Sequence, residues 1–141
     1  MMRTYVVLVL AVSAAVLAGC GKPGNPAAEK AAVAAAEAWL KLIDDGQYAE
    51  CWDEAAPFFR AAVPKDKWTE QMTAFRKPFG NRLSRKVTRR EYRTAMPGAP
   101  DGEYVVIQFQ ASFEHKQNAV ETVTPMKETD GTWRVSGYYI R

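Results

Sequence analysis

The apolar residues of this chain change their spacing near residue 80, and this change limits the fold more than any other feature. Before it they recur every three or four positions, which is typical of amphipathic helices. After it they alternate with polar residues, which is typical of half-buried strands. Helices followed by strands with short turns predict an α+β domain, in which the helices pack on one face of a four-stranded antiparallel sheet.

Local signals predict three helices. Asn25 can cap the first helix and Pro26 suits its first position, so we expect it over 26–45, with Gly46 as its stop. A second helix is expected over 47–55, ended by Pro57, and a third over 65–77, begun by Pro64.

Four strands are predicted over 83–95, 104–113, 120–127 and 132–140, with turns at 96–102, 115–118 and 129–131. The second strand is the clearest. One of its faces carries Val105, Ile107, Phe109, Ala111 and Phe113. Simple alternation also places Trp133, Val135, Gly137 and Tyr139 together on one face of the last strand.

The N-terminal segment resembles the leader of a bacterial lipoprotein. Residues 5–17 are uncharged and apolar but fall short of the roughly 20 residues that a spanning helix needs, so they fit a signal peptide. They lead into Leu17, Ala18 and Gly19, which resemble a lipobox before Cys20. We therefore expect a signal peptide over 1–19, a lipidated cysteine and tether over 20–26, and one domain over 27–141. A plain secretory signal with an incidental Cys20 is the alternative.

The lipobox resemblance implies diacylglycerol on the Cys20 sulfur and, in Gram-negative species, an acyl chain such as palmitate on its amino group. Two or more chains hold a protein firmly to a membrane. We expect an envelope protein facing the periplasm, and Gly21 rather than Asp favours the outer membrane by resemblance to the enteric sorting rule. Cys51 is then left without an intrachain partner. It is interpreted as a buried small hydrophobe, with an intermolecular or redox role as the alternative.

Length and charge further limit the class of protein to which this chain can belong. A chain of 141 residues with 48% hydrophobic residues fits a single globular domain. A formal net charge of +3 is too small to indicate a nucleic-acid partner. His115 is the only histidine and lies in a polar segment, so neither a metal site nor a cofactor is expected.

Several segments carry a resemblance to a known family. They are Glu37-Ala38-Trp39-Leu40, Asp45-Gly46-Gln47-Tyr48, Lys67-Trp68, Phe79-Gly80, Pro97-Gly98-Ala99-Pro100-Asp101-Gly102-Glu103-Tyr104 and Trp133-Arg134-Val135-Ser136-Gly137-Tyr138-Tyr139. They resemble domain of unknown function 4019, found in bacterial secreted proteins. The order of elements also resembles the cone-shaped fold of nuclear transport factor two and ketosteroid isomerase, which implies a curved sheet and a pocket within the cone.

Isomerase-like members of that fold place an Asp base and a Tyr or acidic donor in an apolar pocket. The strand carboxylates Glu103, Glu121 and Glu128 match no such pair, so no catalytic residue is assigned and an enzyme is not expected. The pocket residues would be Trp39, Phe109, Phe113, Trp133 and Tyr139, with ordinary sheet packing as the alternative.

A basic run marks the start of the sheet. Its central members are Arg85, Lys86, Arg89, Arg90 and Arg93. One interpretation is a solvated edge strand, whose charges block edge-to-edge pairing. The other is a patch for anionic envelope material, such as phospholipid headgroups, lipopolysaccharide or a protein. Alternation predicts Arg89 and Arg93 on one face and Lys86 and Arg90 on the other.

Three functions stay open at this point. The first is a lipid-anchored, non-enzymatic binding or accessory domain for a small apolar ligand or an envelope protein. The second is an isomerase- or hydratase-type enzyme that uses the cone pocket. The third is a structural lipoprotein that assembles through its sheet, for instance as a homodimer. A buried acid in an open cavity would favour the second, and a filled interior with an apolar outer patch would favour the third.

Overall fold

The computed structural model describes residues 24–141 and shows an α+β architecture, as predicted. The helices are α1 (Pro26–Asp44), α2 (Tyr48–Glu54), α3 (Pro57–Ala62) and α4 (Lys65–Phe75), followed by a 3₁₀ turn at Lys77–Phe79. The strands are β1 (Arg82–Arg93), β2 (Tyr104–Phe113), β3 (Lys116–Lys127) and β4 (Trp133–Ile140). The predicted signal peptide, the lipobox and Cys20 lie outside the described residues.

Helix α1 begins and ends where its capping residues predict. The Asn25 side chain accepts a hydrogen bond from the Ala28 amide at 3.1 Å, and Pro26 occupies the first helical turn. Gly46 leaves the helix with φ of +74°, which suits a residue without Cβ. The buried face carries Ala32, Ala36, Trp39, Leu40 and Ile43.

Helix α3 was not predicted. Pro57 was expected only to end the second helix, but α2 already ends at Glu54 and Pro57 begins α3. Proline suits this first position because its missing N–H would have no helical partner there. The Ala56 amide donates to the Val135 carbonyl at 2.8 Å and so fixes the start of α3 beside β4. As a result Phe59 is fully buried.

The four strands form one antiparallel sheet in the order β1-β2-β3-β4, so β1 and β4 are its edges. The β2–β3 turn is shorter than predicted. It consists of Glu114 and His115, with Phe113 paired to Lys116, so β3 begins four residues before the expected start at 120. Inside β3, Asn118 takes up a positive φ of 56°.

A bulge in β4 makes the predicted face alternation of that strand wrong. Thr124 pairs with Gly137 and Pro125 with Val135, so Ser136 is an extra residue. Its hydroxyl donates to the Thr124 carbonyl at 2.7 Å. Beyond the bulge the faces exchange. Tyr138 turns inward and is 2% exposed, whereas Tyr139 turns outward and is 44% exposed.

A second bulge, at Thr88 in β1, has the same effect on the basic run. Val87 pairs with Phe109 and Arg89 with Gln108, which leaves Thr88 unpaired. Lys86 therefore shares the outer face of the sheet with Arg89 and Arg93. Arg90 faces the helices, so the predicted pairing of Lys86 with Arg90 on one face is wrong.

Aromatic rings fill the space between the helices and the sheet. Trp68 packs edge-to-face on Phe59 with ring centroids 5.1 Å apart, and Trp39 lies 5.4 Å from Tyr138 and 5.8 Å from Trp68. Aromatic pairs of this kind stabilise a core beyond their buried area.

None of the helices described in residues 24–141 has the length and apolar character of a membrane-spanning segment.

Candidate functional site

A network of buried charges links the end of α1 to the sheet, and Arg85 of β1 is its centre. The guanidinium of Arg85 donates to both carboxylate oxygens of Asp44, at 2.7 and 3.0 Å. Its Nε donates in the opposite direction to Glu121 Oε1 at 2.7 Å. One planar guanidinium thus joins two carboxylates from α1 and β3.

Asp44 also accepts hydrogen bonds from two further arginines. Arg76, which follows α4 and is 3% exposed, donates to Asp44 Oδ1 at 3.1 Å, and Arg82 Nε donates to Oδ2 at 3.0 Å. Burial raises the pKa of Asp44, but the hydrogen bonds and charge of Arg85, followed by the bonds from Arg76 and Arg82, outweigh this effect. The pKa of Asp44 is therefore below its ordinary value, and the group stays ionised.

Glu121 is fully buried, and each of its oxygens accepts one hydrogen bond. Arg85 occupies one of its oxygens, and the Tyr138 hydroxyl donates to Oε2 at 2.6 Å. Burial, followed by the charge of Glu121, raises the pKa of Tyr138 well above its ordinary value. Tyr138 is therefore a neutral hydrogen-bond donor at physiological pH.

The sequence reasoning did not assign this network. From the sequence, Glu121 matches no isomerase-like pair, and Arg85 is a member of the basic run. A usable signal was present, because Glu121 lies in phase with Ala119 and Val123, both of which are fully buried. A carboxylate on the apolar face of a strand demands a buried cation, and the basic run supplies Arg85.

The oxygens of both carboxylates in the network are engaged in hydrogen bonds. Each oxygen of Asp44 accepts two hydrogen bonds, and each oxygen of Glu121 accepts one. Guanidinium groups do not lose their protons in proteins. A carboxylate held in this way is a poor general base, since taking up a proton would break a charge-assisted bond.

Two open depressions lie on the described surface, and neither is lined by members of the network. One, of about 540 Å³, lies between the α1–α2 turn and α4, and includes Gly46, Thr69 and Lys77. The other, of about 400 Å³, lies between α1, α2 and β4. We call it the α1–β4 groove. It is lined by Ala35, Ala38, Trp39, Leu42, Glu50, Glu54, Thr132, Trp133, Arg134 and Val135.

The predicted pocket residues are not brought together in one cavity. Trp39 and Trp133 both line the α1–β4 groove, although Trp39 is only 3% exposed. Phe109 is buried in the main core. Phe113 lies in a smaller cluster, where the Arg76 guanidinium stacks 4.2 Å from its ring centroid. Tyr139 lies on the outer face of the sheet, beyond the bulge at Ser136.

The structure separates one buried member of the predicted basic patch from four exposed ones. Arg85 belongs to the buried network. Arg89 and Arg93 lie on the outer face, where both donate to Glu91, at 3.0 and 2.9 Å. On the other face, Arg90 lies 3.8 Å from the Glu29 carboxylate of α1. Four of the five cations, Lys86 included, are therefore exposed along the edge strand.

The remaining candidate residues take positions that agree with their simplest interpretation. Cys51 is fully buried, and burial raises the pKa of its thiol, which makes it unreactive. His115 is exposed in the β2–β3 turn. Among residues 24–141, no group of three or more His, Cys, Asp or Glu side chains could hold a metal ion.

A model of one protein family, described as Protein of unknown function (DUF4019), matches residues 35–138. The chain belongs to the DUF4019 family. The DUF4019 match includes Asp44, Arg76, Arg85, Glu121 and Tyr138, so the whole buried network falls within it. No curated protein and no solved structure matches the chain. The resemblance to the cone-shaped fold of nuclear transport factor two stays a prediction.

Proposed function

We propose that this DUF4019 protein is a lipid-anchored envelope protein whose domain faces the periplasm and acts by binding, as a non-enzymatic accessory domain. The anchor rests on the lipobox that precedes Cys20. The role of the domain rests on one structural observation, the closed interior between helices and sheet. The rings of Trp39, Phe59, Trp68 and Tyr138 pack against one another between the helices and the sheet, and the neighbouring charges are paired.

A closed interior favours recognition at the surface over a buried small ligand. Of the two depressions, the α1–β4 groove has more aromatic lining, because Trp39 and Trp133 line it whereas the other includes Tyr48. The third hypothesis, assembly through the sheet, would need an apolar outer face. In residues 24–141 the exposed large hydrophobic residues are Leu83 on β1 and Tyr139 on β4, at opposite edges of the sheet. Surface recognition of an envelope protein is therefore the better-supported role.

The isomerase-type alternative draws on one observation. A buried carboxylate and a tyrosine hydroxyl meet at 2.6 Å in Glu121 and Tyr138, and enzymes of the cone-shaped fold combine such groups. In this chain Arg85 neutralises the carboxylate, and the hydroxyl is already donating to it. A substrate would have to displace both interactions, which favours the accessory role.

The anchor is tested by metabolic labelling with an alkyne analogue of palmitate, followed by membrane fractionation. Wild-type protein should carry the label and sediment with membranes. Cys20→Ser should lose both properties, because it removes the sulfur that accepts the lipid. Cys51→Ala is the matched control and should keep both. A Cys20→Ser protein that remains labelled and membrane-bound would overturn the proposed anchor.

A further inference from the structure

The N-terminus of α1 lies beside edge strand β1. Glu29 in the first turn of α1 approaches Arg90 at 3.8 Å, and the Asn25 side chain approaches the Tyr92 hydroxyl. At the opposite end of the same helix, Asp44 holds Arg82 and Arg85. Helix α1 therefore runs alongside β1 in the opposite direction, and the chain enters the domain next to the last residues of that strand.

The proposed tether is short. Asn25 follows Cys20 by five positions, and an extended chain spans at most about 3.6 Å per residue, which gives a reach of about 18 Å. Since the domain begins beside Arg90, the basic end of β1 must stay within about this distance of the membrane that holds the lipid. A tether of this length permits few orientations of the domain.

The β1 edge is also the basic side of the described domain. Its exposed cations are Lys86, Arg89, Arg90 and Arg93. Arg89 and Arg93 pair with Glu91, and Arg90 lies close to Glu29, so four exposed cations of β1 oppose two acids. The opposite side, formed by α2 and the β3–β4 turn, exposes Glu50, Glu54 and Asp130. The domain thus has a basic edge beside its tether and acidic groups away from it.

We propose that the β1 edge, defined by Lys86, Arg89, Arg90 and Arg93, rests on the anionic phospholipid headgroups of the anchoring membrane and fixes the orientation of the domain. This inference rests on the proposed lipid anchor. Cations close to a membrane are attracted within about 8 Å at physiological ionic strength, and a tether that reaches at most about 18 Å lets them come within that range. In this orientation β4, the α1–β4 groove and the acidic side face the periplasm, where a partner can reach them.

The test is a depth measurement on the lipidated protein in vesicles. A fluorophore is attached either at Thr88→Cys on β1 or at Asp66→Cys on α4, while the buried Cys51 stays unlabelled. Quenching by a headgroup nitroxide lipid is compared in phosphatidylcholine vesicles with and without phosphatidylglycerol. With phosphatidylglycerol present, we expect quenching at position 88 to exceed that at position 66 by about threefold, and salt to reduce the difference.

Two charge variants provide the control. The triple variant Lys86→Gln, Arg89→Gln, Arg93→Gln should lose the preference for position 88. The matched variant Lys41→Gln, Lys65→Gln, Lys67→Gln removes the same charge from exposed positions elsewhere and should keep it. Neither triple touches the buried network.

Equal quenching at both positions, or a preference that survives the β1 triple, would overturn the proposal. A preference that appears only when lipopolysaccharide replaces phosphatidylglycerol would also overturn it. The intact mass, measured before reconstitution, separates the two claims. A protein without lipid refutes the anchor itself, whereas a lipidated protein without orientation refutes only the role of β1.

Discussion

At the scale of single residues, Arg85 is the point at which a helix and two strands are joined by charge. It joins α1 to β3 through Asp44 and Glu121, and its own side chain is only 8% exposed. The basic character of residues 82–93 was evident from the sequence, but the burial of one arginine among them was not. Local patterning indicates the face of a strand, and only the packed structure shows which cation meets the buried acid.

Removing Arg85 should destabilise the protein strongly. Arg85→Met leaves Glu121 buried without its cation, and losing one partner of a buried pair costs about 3–5 kcal/mol. Arg89→Met is the matched control, since Arg89 is exposed on the same strand and should change the free energy of unfolding by less than about 0.5 kcal/mol. Urea unfolding measures both. If the two variants lose the same stability, the network is not holding α1 to the sheet.

The lowered pKa of Asp44 predicts a pH dependence. Its carboxyl has an ordinary pKa of 3.8 when unfolded and a lower value when folded. The stabilisation is therefore fully present above that ordinary value and is lost as the pH falls through the folded value. Asp44→Asn should be less stable than wild type at neutral pH. Between about pH 5 and about pH 2 its free energy of unfolding should fall by less than that of wild type.

The control for this experiment is Asp45→Asn, because the neighbouring Asp45 is exposed and pairs only with Lys41. Its urea midpoints should follow those of wild type across the same pH range. An Asp44→Asn protein with an unchanged acid profile would show that Asp44 is not the group that titrates on folding.

At the scale of helices and strands, most of the structure followed from periodicity, and the exceptions have physical causes. Helix α1, strand β2 and its buried face lie where the spacing of apolar residues predicts. Helix α3 was missed because its six residues are too short for a clear period. The bulges at Thr88 and Ser136 could not be predicted from the sequence. A bulge is defined by how a strand pairs with its neighbour, and the sequence of one strand does not contain this information. They account for the wrong faces assigned to Arg90 and Tyr139.

The junction between α4 and β1 depends on Gly80. It has φ of +75° and ψ of −160°, a region open almost only to glycine, and a Cβ there would lie 3.0 Å from the Glu114 Cβ. Gly80→Ala should therefore cost about 1–3 kcal/mol through backbone strain, and more through this contact.

Gly98→Ala is the matched control for the junction. Gly98 also has φ of +75°, but a Cβ there meets nothing within 4 Å, so its cost should be only about 1–2 kcal/mol. Thermal unfolding of the two variants gives the comparison. A Gly98→Ala protein that is less stable than Gly80→Ala would contradict the close approach at the α4–β1 junction.

At the scale of the whole molecule, the fold class was predictable and the state of the interior was not. The change of period near residue 80 is enough for an α+β domain. Whether Trp39, Phe59, Trp68 and Tyr138 surround a cavity or fill it depends on how their rings interlock, and α3 was needed to place Phe59. A filled interior leaves no room for a buried ligand, so recognition by this lipid-anchored domain would take place at its surface.

Native mass spectrometry of the mature protein, released gently from membranes, tests that claim most directly. We expect a chain of residues 20–141 that carries diacylglycerol and one acyl chain and retains no other molecule. A reproducible additional mass of a few hundred daltons, lost only when the protein unfolds, would mean that the interior opens to hold a ligand. That result would contradict a closed accessory domain.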